Sequence, residues 1–310
     1  MNLLILNPSA ADYKKALESS FPDLTIHPAA QEEEIGNFIE KTDILLTNRI
    51  SEAWIKKALK LHWIQATTTG VDYLINLPSL RKEVLLTSTR GIHGPQMSEM
   101  AILLMLALNR NLPQVIRNQD QGIWERYPGK LLYQKKVGIV GLGAIGREIA
   151  KKCKAFGMTV YGIATQKREV EGVDYSCGSE DLLQVLKEVD YLILVVPNTP
   201  RTRKMIGANE LSSMKPTAYL INIARGEIVD EEALTHALKT GQIAGAALDT
   251  FCTEPLPKDH PFWGMKNVMI TPHVGGMSDI YVEQVLSVFK ENLRRFLRGE
   301  KQALINRIEW

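Results

Sequence analysis

The stretch KVGIVGLGAIGREIA, residues 136–150, constrains this chain more than any other. An apolar run of strand type at 137–140 leads into Gly141, Gly143 and Gly146 at G-x-G-x-x-G spacing, and a helical pattern opens directly behind them. Each glycine has its own physical task. Gly141 permits the tight turn out of the strand, Gly143 lets backbone approach a pyrophosphate, and Gly146 lets helix and strand pack closely. The N–H groups of Gly143, Ala144 and Ile145, at the start of a helix expected over 144–156, would then face the diphosphate with the positive end of the helix dipole behind them. Glycines alone would be weak evidence, but strand, glycines, helix and a second strand over 159–163 come here in order. The segment therefore reads as a Rossmann dinucleotide-binding unit.

The residues just past the second strand bear on the choice of dinucleotide. An NAD site places an acid there, about 20 residues past the glycines, to bind the ribose 2′-hydroxyl. The chain instead reads Ala164, Thr165, Gln166, Lys167, Arg168, and no carboxylate appears before Glu169. Thr165, Lys167 and Arg168 suit a 2′-phosphate, which a cation can pair with and a hydroxyl can donate to. The alternative is an ordinary solvated loop. NADP(H) is favoured over NAD(H).

At 310 residues the chain is long for one core and suggests two domains. A hydrophobic fraction of 45% and a charged fraction of 23% are those of a globular protein, and a net charge of +2 gives no reason to invoke nucleic acid or an anionic membrane. Three cysteines without metal spacing argue against a disulfide framework, and no metal site is expected. The opening MNLLILNPSA reads as strand and turn, not as a signal peptide, and the longest apolar run, 100–108, is far short of a membrane span. A cytoplasmic location is expected.

From the N-terminus, strand patterns at 3–6, 44–47, 63–66 and 84–87 alternate with helical ones at 11–19 and 52–58, the latter behind Ser51 as N-cap. A long helix over 96–117 comes after a hinge at Gly91 and Gly94-Pro95. The glycine-rich unit opens a second alternating set, with strands at 137–140, 160–163, 191–195, 218–222, 245–248 and 268–271, and the helix over 231–240 reads as capped by Asp230 and stopped by Gly241. An amphipathic helix over 281–298 closes the chain. Such alternation predicts an α/β protein of two doubly wound parallel-sheet domains: a Rossmann dinucleotide-binding domain, 95–279 with the long helix, inserted into a flavodoxin-like substrate domain, 1–94 plus 280–310.

Ligands of open α/β sheets bind beyond the carboxyl ends of the strands. The strand at 218–222 runs into Arg225, that at 245–248 into Asp249 and Glu254, and that at 268–271 into His273, so one Arg, one Asp, one Glu and one His emerge on a single edge. Reduction of a 2-oxo acid needs these types. Arg can orient the carboxylate and polarise the ketone, a histidine can give a proton to the oxygen as hydride reaches carbon, and a carboxylate beside it favours the imidazolium and fixes the ring. Of the other histidines only His93, by the hinge, competes. Cys177 and Cys252 lack an adjacent base for thiol chemistry.

These residues resemble the D-isomer-specific 2-hydroxyacid dehydrogenase family over nearly the whole chain. The marks are GVD at 70–72, the glycine motif, PNTPRT at 197–202, NIARGEIVDEEAL at 222–234, ALDTFCTEPLP at 247–257 and TPHVGG at 271–276. The resemblance implies a catalytic set of Arg225, Glu254 and His273. It also implies that Asp249 holds the nicotinamide carboxamide and that Pro197, Thr199, Ala224 and His273 line the cofactor cleft. Main-chain N–H groups around Thr69, Gly70 and Val71 would bind the substrate carboxylate. Members close a cleft between two domains and form homodimers through the long helix and its arm, and Trp124 resembles an arm tryptophan that some glyoxylate/hydroxypyruvate reductases send into the partner's site. Two departures stand out: Ala164 replaces the acid of NAD-using members, and Ser98-Glu99-Met100 replaces the usual A-E-H. Formate dehydrogenases of this fold carry Gln in place of the Glu, so Glu254 argues against them.

The implied activity is hydride transfer from NAD(P)H to a small 2-oxo acid, giving the D-2-hydroxy acid, with Arg225 orienting, His273 as acid/base and Glu254 supporting it. The alternative from another class is a dinucleotide-sensing, corepressor-like interaction protein of the same fold. For the substrate side chain, Arg49 either selects a polar or acidic substituent or faces solvent.

Overall fold

Runs such as LLIL, ILLT and YLIL, apolar at nearly every position, suit strands buried on both faces, and such strands form parallel sheets covered by helices. The computed structural model describes residues 1–310. Its strands are β1 (Asn2–Leu6), β2 (Thr25–Ala29), β3 (Ile44–Thr47), β4 (Trp63–Ala66), β5 (Leu85–Thr87) and β6 (Lys136–Val140). They continue with β7 (Thr159–Ile163), β8 (Tyr175–Cys177), β9 (Tyr191–Leu194), β10 (Tyr219–Asn222), β11 (Gly245–Leu248), β12 (Val268–Ile270) and β13 (Arg307–Ile308). The chain divides into one unit of residues 1–92 with 278–310 and a second of residues 93–277.

The first unit has six strands in the order β13-β5-β4-β3-β1-β2. Its β2-β1-β3-β4-β5 part is the flavodoxin-like order. β13 pairs antiparallel with β5, so the sheet is mixed at one edge and not wholly parallel as expected. The opposite edge strand, β2, carries Pro28 in register with Ile5. A proline is tolerated there because an edge strand needs no ladder bond on its outer side, and that proline hides the strand from a pattern reading. One face of the sheet buries Leu4, Leu45, Ile64 and Leu86. The other buries Leu3, Ile5, Leu46 and Trp63 against Val285, Phe289, Leu293 and Phe296 of the helix Tyr281–Leu297.

That helix is also tied in by polar groups. Fully buried Asn292 donates from Nδ2 to Gln65 Oε1 (3.0 Å) and to the Ile305 carbonyl (3.0 Å), and its Oδ1 accepts from the Ile305 N–H (2.6 Å). Thr87 Oγ1 donates to the same Gln65 oxygen (2.8 Å) and accepts from Trp63 Nε1 (2.8 Å). Ser51 does sit at the N-cap of the short helix Glu52–Ile55, but its side chain makes no capping bond.

The second unit is a seven-stranded parallel sheet in the order β12-β11-β10-β9-β6-β7-β8. This is the doubly wound order of dinucleotide-binding sheets, with β12 added at one edge. The single helix expected over 96–117 is two helices, Gly94–Asn109 and Leu112–Asp120. Asn111 breaks it in left-handed backbone (φ 49°), and Pro113, lacking an N–H, starts the next one. The first of these helices packs Ala101, Leu104 and Met105 into the core with β6 and β9. Asp230 Oδ1 caps the helix Glu231–Thr240 by accepting from the Ala233 N–H (3.2 Å), and Gly241 ends it at φ 70°. No helix of the chain is long and apolar enough to cross a membrane.

Candidate active site

The carboxyl edge of the second sheet begins with the glycine turn after β6. Gly141 has φ 106°, and a Cβ there would lie 2.7 Å from the Val195 carbonyl oxygen. At Gly146 a Cβ would lie 1.9 Å from the Gly141 oxygen. Both positions exclude a side chain on steric grounds within the fold itself. Gly143 differs: it is the N-cap of the helix Ala144–Ala155, no side chain caps that helix, and a Cβ at Gly143 would meet nothing within 4 Å. Open space thus faces the helix N-terminus, whose first N–H groups have no partner within the helix. This is the environment an anionic diphosphate needs, and the residues present fit one.

After β7 the Ala164 N–H pairs with the Cys177 carbonyl (3.2 Å), and residues 165–168 are exposed. Arg168 folds back: its Nη2 donates to the Leu142 carbonyl (2.7 Å) inside the glycine turn, while its N–H donates to Ser176 Oγ (3.1 Å). The guanidinium is therefore held at the rim of the glycine turn.

Three further strand ends supply the titratable groups. Beyond β10, Asn222 Nδ2 donates to the Arg225 carbonyl (2.8 Å) and its Oδ1 accepts from the Ala224 N–H (3.1 Å), bending the chain so that Arg225 leaves the sheet. Gly226 then lies so close to the loop after β11 that a Cβ would sit 2.0 Å from the Phe251 carbonyl carbon. That approach brings the Arg225 turn against the loop carrying Glu254. Glu254 Oε1 accepts from the Phe251 N–H (2.9 Å), and Oε2 meets His273 Nδ1 at 2.7 Å. Arg225 Nη1 donates to the Ala224 carbonyl (2.7 Å). His273 comes after β12 in left-handed backbone (φ 54°), its N–H bonded to the Thr271 carbonyl (3.0 Å). With Nδ1 engaged by the carboxylate, Nε2 is the ring nitrogen left to exchange a proton with a ligand.

Pro197 and Thr199 lie on the loop after β9, which Thr202 organises by accepting from the Thr199 N–H (2.8 Å) and donating to the Pro197 carbonyl (2.6 Å). Asp249 is 1% exposed, and its carboxylate points to the loop after β12. His93 is also buried, against Gly276, where an added Cβ would stand 3.5 Å from its Cδ2. Burial pushes the His93 pKa down to about 4, so it is a neutral packing group next to the His273 loop. The pair His260–Glu231 (3.1 Å) leaves no signal in the residue pattern; Glu231 also accepts from the Cys252 N–H (3.3 Å) and so steadies the 252–260 segment. Partial burial and the Glu231 carboxylate push the Cys252 thiol up to about 12, far from a nucleophile's range.

In the first unit, the loop with Thr69, Gly70 and Val71 comes after β4. The Thr67 N–H donates to the Thr47 carbonyl (3.0 Å), Tyr281 OH to the Thr67 carbonyl (2.6 Å), and Thr68 Oγ1 to the Gly70 carbonyl (2.7 Å). Arg49 lies over the exposed Tyr73 ring at 5.0 Å.

A family profile described as D-isomer specific 2-hydroxyacid dehydrogenase, NAD binding domain, matches residues 102–275. The chain belongs to the D-isomer specific 2-hydroxyacid dehydrogenase family. Members of this family are NAD(P)-dependent oxidoreductases, and the second unit is their Rossmann-type domain. D-3-phosphoglycerate dehydrogenase of Methanocaldococcus jannaschii is 34% identical over 97% of the chain, and the match spans 58% of that longer relative. Glyoxylate reductase of Pyrococcus furiosus is 36% identical over 85% of the chain and 81% of its own length. Among solved structures, a D-isomer specific 2-hydroxyacid dehydrogenase family protein from Aeromonas salmonicida superposes with a TM-score of 0.92 at 36% identity, covering 99% of this chain and 98% of that one. An NADPH-dependent glyoxylate/hydroxypyruvate reductase from Sinorhizobium meliloti, bound to NADP and sulfate, does so with a TM-score of 0.85 at 25% identity, covering 99% and 98%.

Proposed function

We propose that the chain reduces a small 2-oxo acid to the D-2-hydroxy acid, using NADPH in preference to NADH. The observation that carries this reading is the 2.7 Å contact of His273 Nδ1 with Glu254 Oε2, on the sheet edge where Arg225 and the glycine cradle also emerge. A bound nicotinamide supplies the hydride. Arg225 orients the substrate carboxylate and draws electron density from the ketone. As the carbonyl carbon is reduced, its oxygen takes the proton from His273 Nε2, and Glu254 holds the ring in place through Nδ1. Water then reprotonates the neutral imidazole.

The diphosphate is assigned to Gly141, Gly143, Ala144, Ile145 and Gly146, the 2′-phosphate to Thr165, Lys167 and Arg168, and the nicotinamide end to Pro197, Thr199, Ala224, Asp249 and His273. From the first unit we assign the N–H groups of Thr69, Gly70 and Val71 to the substrate carboxylate and Arg49 to its substituent. Glyoxylate and hydroxypyruvate are the favoured substrates, since relatives carry those names. A homodimer is proposed as the working form, because the segment with Ile116, Ile123, Trp124 and Leu131 exposes large apolar side chains, Trp124 to 91%.

The test is His273→Ala assayed with NADPH and glyoxylate, hydroxypyruvate, pyruvate and phenylpyruvate. Turnover should fall by roughly 10²–10⁴-fold while NADPH affinity is kept. Unchanged turnover would remove His273 from the mechanism, and a wild-type protein inert with every acid would favour a dinucleotide-sensing role.

A further inference from the structure

His273 occupies backbone that a residue with a Cβ adopts only where its surroundings over-determine it. The side chain of Asp249 is bonded to the residues on either side of His273. One carboxylate oxygen, Oδ1, accepts from Thr271 Oγ1 (2.6 Å) and from the Val274 N–H (3.0 Å), and the other, Oδ2, accepts from the Gly275 N–H (2.9 Å). These three donors bracket His273 on both sides along the chain. The carboxylate is itself fixed. The Asp249 N–H donates to the Asn222 carbonyl (2.9 Å) and the Thr271 N–H to the Leu248 carbonyl (3.0 Å), so the ends of β10, β11 and β12 are locked together around it. Gly275 is part of the arrangement, since a Cβ there would stand 2.8 Å from Oδ2 and push the carboxylate off its donors.

We propose that Asp249 is a positioning residue for His273: its buried carboxylate clamps the turn 271–275, imposes the left-handed conformation at His273 and so aims Nδ1 at Glu254. The inference rests on the catalytic role proposed for His273 and adds to the cofactor role assigned to Asp249. A carboxylate has about four acceptor positions, of which the clamp uses three, leaving one for the cofactor amide. Thr271 becomes a second member of the same device, reaching the carboxylate through its hydroxyl alone.

Thr271 gives the cleaner test, because its contact with Asp249 can be removed without altering the carboxylate. Thr271→Val removes the donor at nearly constant shape, Thr271→Ser keeps it, and Asp249→Asn keeps an acceptor but sets an amide hydrogen against one of the donors. The turnover number with NADPH and glyoxylate, the dissociation constant for NADPH by fluorescence titration, and the melting temperature are measured for each. Thr271→Val and Asp249→Asn should each lose about tenfold or more in turnover, the scale of one hydrogen bond to a charged group. In Thr271→Val, NADPH affinity should stay within about threefold, and Thr271→Ser should recover most of the turnover. A purely structural role for Thr271 would show as a loss of melting temperature without this split. The proposal is overturned if Thr271→Val turns over like wild type, if Thr271→Ser is as impaired as Thr271→Val, or if the losses fall only in NADPH affinity. His273→Ala in the same series separates the two claims. If it collapses turnover while Thr271→Val does not, only the clamp fails; if it retains turnover, the catalytic reading fails.

Discussion

Gly143→Ala separates the needs of the fold from those of the cofactor. The structure permits the methyl: Gly143 has φ −73° and ψ −164°, which any residue adopts, and a Cβ would meet nothing within 4 Å. Alanine reduces unfolded-chain freedom, worth about 0.4–1 kcal/mol in favour of folding, and is a poorer N-cap than glycine by a similar amount. Stability should therefore change by about 0.5 kcal/mol or less. The methyl nevertheless projects into the space in front of the helix N-terminus, where the diphosphate is assigned. Displacing one charged-group hydrogen bond costs about 1.5–3 kcal/mol, so NADPH should bind roughly 10–150-fold more weakly. Gly146→Ala should behave in the opposite way. Its Cβ would stand 1.9 Å from the Gly141 oxygen, and the turn must move or the domain lose several kcal/mol, on the scale of core overpacking. Thermal melting in the absence of cofactor and calorimetric titration with NADPH read the two effects separately. Wild-type NADPH affinity in Gly143→Ala, with the fold intact, would refute the placement of the diphosphate.

Three further outcomes are expected. Arg168→Ala should cut the preference for NADPH over NADH by about tenfold or more, measured as a ratio of kcat/KM values, because one cation at the cradle rim is lost; an unchanged ratio would leave the 165–168 loop as solvated surface. Asn292→Ala should lower stability by about 3 kcal/mol in urea unfolding, since it leaves the half-buried N–H and carbonyl of Ile305 without their partner at about 1–3 kcal/mol each; a loss under about 1 kcal/mol would mean water replaces them. His93 titrates at about 4 when folded against 6.5 in its ordinary state, so the unfolded chain binds the extra proton between those values. Stability drawn from neutral His93 is present above about 6.5 and is lost as pH falls toward 4, by up to about 3 kcal/mol. His93→Gln should flatten that part of the urea midpoint against pH; an unchanged slope would place the decline in other groups.

Wherever local sterics and periodicity decide, the residues alone are enough. The turn at Gly141, the close approach at Gly146 and the open position at Gly143 are legible from spacing, because each is decided within a few residues of strand, turn and helix. The apolar strands needed only their own side chains to announce burial on both faces, and Arg225, Asp249, Glu254 and His273 could be placed on one edge because each comes after such a strand. Which of these groups touch is settled by folding. Glu254 and His273 are 19 residues apart, Asp249 and Gly275 are 26 apart, and Gln65 and Asn292 are 227 apart. Their contacts depend on β11 pairing with β12, and on a C-terminal helix returning to the first sheet. The same holds for β2 with its internal proline, for β13 at the far edge, and for the break at Asn111. Residue types and spacing declare which conformations a segment tolerates, whereas partners for buried polar groups are fixed only when strand order and packing bring distant segments within hydrogen-bonding distance. Asp249 is the sharpest case: an acid at a strand end in the sequence, and in the folded chain the group on which the histidine turn is built.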